Sequence, residues 1–396
     1  MRIAKIGIVL AAMIFLTLAG AQAQTFTLLH QFQGNRDGTL PHGALLRDAA
    51  GNLYGTTYTG ANHNCQGGGC GSVFKLSATG NETMLHRFIQ TDGALPNANL
   101  IRDKSGTFYG TVAYGGSPAC GGNGCGAIFS LDRTGNLTLL YVFTGGTDGQ
   151  GPYAGLIRDP AGNFYSVAYA GGTSKPCGLT IGCGTVFKLD ATGKLTVLHI
   201  FTGGTDGANP YSALIRDPAG NLYGTASRGG NTNSGTAFKL DPGGNFTVLH
   251  SFGGTGQDGA VPYAALIRDA AGNFYGTTMA GGRYRFGTVF KLDPAGNETV
   301  LYAFTGGVDG QSPWANVVMD KNGNLFGTTA FGGVYGDGTV FELDPTGKET
   351  VLHSFDSPID GNAVIAPLIL DSAGNLYGTA DEGGFYGYGT VFEITP

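Results

Sequence analysis

Charge is scarce in this chain of 396 residues: Asp, Glu, Lys and Arg make up 13 % of it, and 28 acidic residues outnumber 22 basic ones. Such a surface offers no basic patch for a nucleic-acid backbone or an anionic membrane, so neither is expected as a partner. Long apolar runs are missing too. The only marked one, Ile6 to Leu18, is well short of the roughly 20 residues a membrane span needs. Glycine does not recur at every third position, which excludes collagen. At 41 % hydrophobic residues the chain is not a disordered polyelectrolyte. A helical bundle is excluded by the 72 glycines, each costing about 1 kcal/mol in a helix interior. What remains is a chain of many short strands joined by glycine-rich turns, long enough to bury a large core.

The early apolar run has its own meaning. Arg2 and Lys5 precede or open it and Ala21-Gln22-Ala23 follows it, the pattern of a secretory signal cleaved after residue 23. Residues 1–23 are therefore expected to be a signal peptide and 24–396 a single domain. Cleavage leaves 20 basic against 28 acidic residues, a net charge of −8, and no membrane span. The protein is expected outside the cytoplasm, extracellular or periplasmic, and as a monomer.

An internal repeat organises that domain. An Asp-Gly pair recurs at Asp37, Asp92, Asp148, Asp206, Asp258, Asp309 and Asp360. A GNLYG-like aromatic keeps the same rhythm at Tyr54, Tyr109, Tyr165, Tyr223, Tyr275, Phe326 and Tyr377, as does the phenylalanine of a GTVFKL-like segment from Phe74 to Phe392. Within the unit from Asp258 to Phe304, four stretches read as strands: ALIRD to Asp269, NFYGTT from Asn273, GTVFKLD from Gly287 and ETVLYAF to Phe304. The last alternates, with Val300, Tyr302 and Phe304 on one face and Leu301 and Ala303 on the other. Turn spellings such as Asp269-Ala-Ala-Gly-Asn273 separate them.

Four antiparallel strands per unit and seven units predict an all-β fold, a seven-bladed β-propeller of four-stranded blades. The chain opens with an unattached fourth strand, Thr25 to Phe32, and ends with a third strand, Val391 to Ile394, that lacks a fourth. A ring whose last blade is closed by the N-terminal strand accounts for both, where an open stack would leave two bare edges.

TGGTDG at Thr202 to Gly207, IRDPAGNLYGT at Ile215 to Thr225 and GTVFKLDPAGNETVLYAFTGG at Gly287 to Gly307 carry a resemblance across the mature chain. It resembles the bacterial secreted proteins built from tandem GloVer repeats, also called choice-of-anchor tandem-repeat proteins. The resemblance implies a secreted or surface repeat protein and brings no catalytic or binding residues with it. Many members carry a C-terminal sorting segment; this sequence stops at Pro396 after a strand, which favours a released form. The DxxGNLY portion is also similar to NHL and gluconolactonase-type propeller blades, which speaks to fold rather than activity.

The six cysteines form three close pairs, Cys65/Cys70, Cys120/Cys125 and Cys177/Cys183, in the longer second-to-third-strand loops of the first three units. Export and local pairing favour three disulfides, each closing its own loop; a thiolate metal site would need pairs from separate blades to meet.

In a meander the fourth-to-first and second-to-third loops share one face. If the first strand is innermost, His42, Asn97, Tyr153, Tyr211, Tyr263 and Trp314, each following a proline, ring the mouth of the central channel; the seventh unit has Val364 and Ile365 there. They are the candidate ligand-binding residues, suited to a glycan or a protein ligand, against the alternative of packing between blades. The seven Asp-Gly aspartates read as turn acceptors: calcium wants six to eight oxygens at about 2.4 Å, which one aspartate per blade cannot supply. No metal, cofactor or catalytic set is expected. His30, His86, His199, His250 and His353 share a slot with Tyr141 and Tyr302 and read as packing; His42 and His63 stand outside it. Gly254 to Gly259 spells GxGxxG but links two strands, so no dinucleotide site follows.

The leading expectation is a non-enzymatic secreted binding protein. A propeller-type extracellular enzyme (lyase, lactonase or glycosidase) would draw on residues where one blade breaks the pattern, His42, Trp314 and the Asp381-Glu382 pair; a structural envelope or matrix protein is the third reading.

Overall fold

A computed structural model describes residues 24–395 except 35, 62–64, 66–67, 174, 178–179 and 255. The expected signal segment 1–23 and His63 lie outside the described residues. Seven four-stranded antiparallel sheets form a ring, each a simple meander. In the fifth blade the strands are Ile267–Arg268, Phe274–Thr278, Thr288–Leu292 and Glu298–Ala303. The seventh takes Ile369–Leu370, Leu376–Ala380 and Thr390–Thr395 from the C-terminal end and Thr25–Gln31 from the N-terminal end, with Leu28 opposite Phe392. No helix among the described residues is long and apolar enough to cross a membrane.

Two strand details differ from the sequence reading. The first strand pairs over two residues instead of five, because near the axis the chain turns to meet the previous blade. Thr277 Oγ1 donates to the Ala315 carbonyl at 2.8 Å, and across the seam Thr379 Oγ1 donates to that of Pro41 at 2.6 Å. The fourth strand does not alternate strictly: Phe290 faces Val300 but Val289 faces Tyr302, which leaves Leu301 as a bulge. Leu301 consequently packs on the same core cluster as Tyr302.

The blades adhere through one repeated contact. The phenylalanine that ends each fourth strand meets, edge to face, the phenylalanine of the next blade's third strand. The pairs are Phe32–Phe74, Phe88–Phe129, Phe143–Phe187, Phe201–Phe238, Phe252–Phe290, Phe304–Phe341 and Phe355–Phe392, with ring centroids 5.1–5.4 Å apart. Their interplanar angles suit the aromatic quadrupole. In six blades the third-strand ring also fits a notch in its own blade. A Cβ on Gly55 would lie 2.6 Å from the Phe74 ring, and one on Gly378 2.5 Å from that of Phe392, so the second strand spells glycine there; blade three alone carries Ser166, opposite Phe187.

Phe32 and Phe304 are both fully buried at equivalent places, one in the N-terminal strand and one mid-chain. Replacing either by Ala is expected to cost the same, about 3–5 kcal/mol, in urea titrations. A negligible cost at Phe32 alone would mean that the N-terminal strand does not close the ring.

Candidate functional site

The fourth-to-first loop and the second-to-third loop of each blade do share a face. Short bridges such as Thr39 to Thr59, Gln150 to Ala170 and Asn362 to Glu382 join them. The Asp-Gly aspartates organise this face as the sequence suggested: each accepts a backbone N–H from its own loop, at 2.7–3.0 Å for Asp37, Asp92, Asp148, Asp206, Asp309 and Asp360, with Gly253 N–H on Asp258 completing the set. The second half of the device was not foreseen. The slot shared by histidine and tyrosine is not mere packing: His30, His86, Tyr141, His199, His250, Tyr302 and His353 each donate to the Asp-Gly carboxylate at 2.7–3.4 Å. Both halves recur seven times in the sequence, which was the available signal.

Behind each aspartate the chain makes a tight reversal. The residue two before the channel position is left-handed in every blade: Leu40, Leu95, Gly151, Asn209, Val261, Ser312 and Ala363, at φ between 52° and 64°. Six of these are not glycine, a strain of roughly 1–2 kcal/mol each, and the turn sends the following side chains towards the axis. His42, Asn97, Tyr153, Tyr211, Tyr263 and Trp314 accordingly converge with Ile365 around one cavity of about 110 Å³. The rings lean on one another: Tyr153 stacks on Tyr211 and Tyr263 on Trp314, both at 5.2 Å, and Tyr211 meets Tyr263 edge to face. Faces are thus largely covered by neighbouring rings. The Tyr153 hydroxyl donates to that of Tyr114, and burial pushes the Tyr153 and Tyr211 phenols far up, so both stay neutral. Trp314 Nε1 is buried without a partner among the described residues.

One pair breaks the ring's pattern. Asp381 stands where the other blades carry Tyr58, Ala113, Tyr169, Ser227, Met279 and Ala330, and His42 Nε2 lies 2.8 Å from its Oδ2. His42 Nδ1 lies 2.9 Å from Asn97 Oδ1, whose amide is oriented by donating Nδ2–H to the Tyr153 carbonyl. Both ring nitrogens therefore face oxygen acceptors, which calls for both protons. Burial opposes charging the imidazole, but Asp381 and Asn97 outweigh it and the His42 pKa is raised. Burial likewise raises that of Asp381, against the pull of His42. The pair holds its proton more tightly than free histidine. The sequence flagged both residues as exceptions; only the ring closure makes them partners.

The disulfides Cys65–Cys70, Cys120–Cys125 and Cys177–Cys183 are formed as expected. Their role is visible by comparing blades. A Cβ on Gly145 would lie 2.5 Å from Cys120 Sγ, and one on Gly203 2.8 Å from Cys177 Sγ. In other blades the same wedge beneath the Asp-Gly loop is Ser234 against Gly254, Phe286 against Gly306, and Tyr388 against Gly34. A small-ring disulfide, which constrains the unfolded chain by about 2 kcal/mol, is one of several ways to fill that space.

One donor set among the described residues has the makings of a cation site: His250, Asp258 and Glu298, with one donor atom of each within 4.8 Å of the others. Its His–Asp bond belongs to the sevenfold loop device, so only Glu298 is special. Glu82, Glu298 and Glu349 occupy a slot that Phe26 and Phe246 fill elsewhere by stacking on His353 and His199 at 3.8 Å. Each of the three glutamates keeps a buried, unpartnered Oε1. Burial, then the nearby Asp-Gly carboxylate, pushes Glu298 and Glu349 up to about 7.

Two expectations follow. In ¹⁵N imidazole spectra at pH 6, both His42 nitrogens are protonated, and Asp381→Asn lowers the titration because the strongest influence opposing burial is lost, with Asn97 and Glu382 remaining; a neutral His42 at pH 6 in the parent would refute the pairing. A carboxyl with a raised folded pKa binds its proton more tightly in the native state, so stability is lost as pH rises from the ordinary 4.5 towards 7. Glu349→Phe, borrowing the residue used in other blades, should raise the melting temperature by several degrees at pH 8 and by less at pH 5.

Among solved structures, virginiamycin B lyase from Staphylococcus aureus matches with a TM-score of 0.56 at 11 % identity, over 94 % of this chain and 99 % of that one. The extracellular domains of BT4673 and BT3049, both from B. thetaiotaomicron, match with TM-scores of 0.58 and 0.55 at 14 % identity. These two cover 94 % of this chain, which spans 41 % of each of theirs. At such identities the likeness establishes the propeller fold alone. No curated protein sequence matches. The Gloeobacter/Verrucomicrobia repeat model matches residues 14–179, 71–273 and 255–396, and the chain belongs to that repeat family.

Proposed function

We propose that this is a secreted, non-enzymatic binding protein that takes its ligand on the loop face, with the channel mouth as a selective site for a small polar group. Secretion is supported by three disulfides, which persist in oxidising compartments. The observation that carries the binding reading is the convergence of one position per blade on a single cavity, with identities that differ between blades although the frame around them repeats. A cavity of about 110 Å³ holds a few waters' volume, given about 30 Å³ for each in the liquid. It suits the tip of a ligand, such as a hydroxyl-bearing end, rather than a whole sugar chain. Hydrogen-bonding capacity is at hand in Trp314 Nε1 and the neutral tyrosine hydroxyls.

The His42–Asp381 pair is the one feature that favours an enzyme of lyase or lactonase type. With a proton on each nitrogen, however, the imidazole has no lone pair with which to act as a general base. It serves better as a fixed donor that orients Asn97.

Trp314 is the only tryptophan, so intrinsic fluorescence reports on the channel mouth. Titration with mono- and disaccharides and related polyols should give a saturable change with at least one of them, weakened tenfold or more by Asn97→Ala, and no product by NMR. Turnover of a lactone or glycoside, lost in His42→Gln, would replace this reading with the enzymatic one. A flat response to the whole panel would remove the channel as a binding site.

A further inference from the structure

Outside the channel, exposed apolar side chains are not scattered. Among the described residues, every exposed large hydrophobic except Ile89 and Ile181 lies on the loops of blades five to seven, on the same face. Some of these rings have structural work to do, since Phe286 and Tyr388 wedge the Asp-Gly loops. Phe331, Tyr335 and Phe385 do not, and they are 47 %, 61 % and 79 % exposed.

Two open grooves run beside them. The first, about 430 Å³, has a floor of glycine backbone and walls from Val308, Gln311 and Phe331 in blade six. The second, about 380 Å³, lies on blade seven between the N-terminal strand and the Phe385-Tyr386 tip, with Gln31 and Gln33 beside it. Gln31 Oε1 accepts the Phe385 N–H at 2.7 Å and so anchors that tip. Both volumes fall in the range of small-molecule sites, about 300–1,000 Å³, several times that of the channel cavity.

Their chemistry is alike. Each offers one or two aromatic rings next to carboxamide side chains, and neither is lined by an aspartate, glutamate, lysine or arginine; His30, in the second, is already bonded to Asp37. Apolar ring faces beside neutral amides match the pyranose unit, which has an apolar C–H face and a rim of hydroxyls. The absence of charge from both linings argues against a polyanion. Two grooves of the same make on adjacent blades suit a ligand that itself repeats.

We infer that the blade-six and blade-seven grooves together form a docking surface for a neutral polysaccharide chain. This extends the reading of the loop face as a binding surface, but it stands on different residues from the channel mouth. The two can therefore fail separately: channel occupancy is read by Trp314 emission, groove occupancy by retention on polymer.

Affinity electrophoresis of the full chain through gels carrying a neutral β-glucan, xylan or mannan, with alginate as the charged counterpart, tests the inference. Retardation is expected in at least one neutral gel and should persist at 0.5 M NaCl. It should fall at least tenfold in Phe331→Ala/Phe385→Ala and be unchanged in Ile181→Ala, an exposed residue off the arc. Equal melting temperatures of the variants confirm that they fold. No retardation in any neutral gel, retardation by alginate alone, or retention undiminished in the double variant would each overturn it. So would sedimentation showing a dimer that the double variant dissolves, since a second copy would then cover the surface.

Discussion

An edge-to-face pair of phenylalanines, repeated at every blade junction, is the contact on which the rest of this structure depends. Each pair is buried, and in six of the seven blades it sits over a glycine notch in the neighbouring strand, where a Cβ would intrude on the ring; Ser166 takes that place opposite Phe187. This explains why so glycine-rich a chain folds at all. The glycines weaken strand propensity, yet some of them are what lets the largest side chains interlock. Closure follows from the same contact. Phe32 in the first strand and Phe74 in the first complete blade meet as Phe304 and Phe341 do mid-chain, so the ends of the polypeptide are joined by an ordinary junction.

Given that rigid ring, the loop face is freed from holding the fold together. The Asp-Gly carboxylate, its own loop N–H and the donor from the fourth strand form a self-contained polar knot in every blade. Satisfying those buried groups locally leaves neighbouring positions open to variation. It is at these positions that blades differ: disulfide, serine or aromatic as the wedge, histidine, asparagine, tyrosine or tryptophan at the axis. Repetition supplies the frame, and departures from repetition gather on this one face.

Much of this was legible in the sequence because a repeat displays the same constraint seven times. Blade count, strand order, disulfide pairing and the convergence of His42, Asn97, Tyr153, Tyr211, Tyr263 and Trp314 could all be read from spacing. The covering of the tyrosine and tryptophan faces by one another could not, since it depends on how far apart neighbouring blades sit. Nor could the bonds from the shared His and Tyr slot to the Asp-Gly carboxylates, because a bulge at the fourth strand resets which side chains face the loop. The two-residue inner strands likewise reflect crowding near the axis, which no local pattern encodes.

By itself the sequence determined what is periodic: the propeller, its seven blades, the turns, and the face on which variable residues gather, all of which depend on contacts repeated at a fixed spacing. Tertiary structure alone decided which single residues meet. His42 and Asp381 are 339 positions apart and become a proton-sharing pair only because ring closure sets the last blade beside the first. The groove beside Phe385 arises in the same way, because the N-terminal strand that walls it joins the last blade only when the ring closes, whereas the groove beside Phe331 is built within blade six alone.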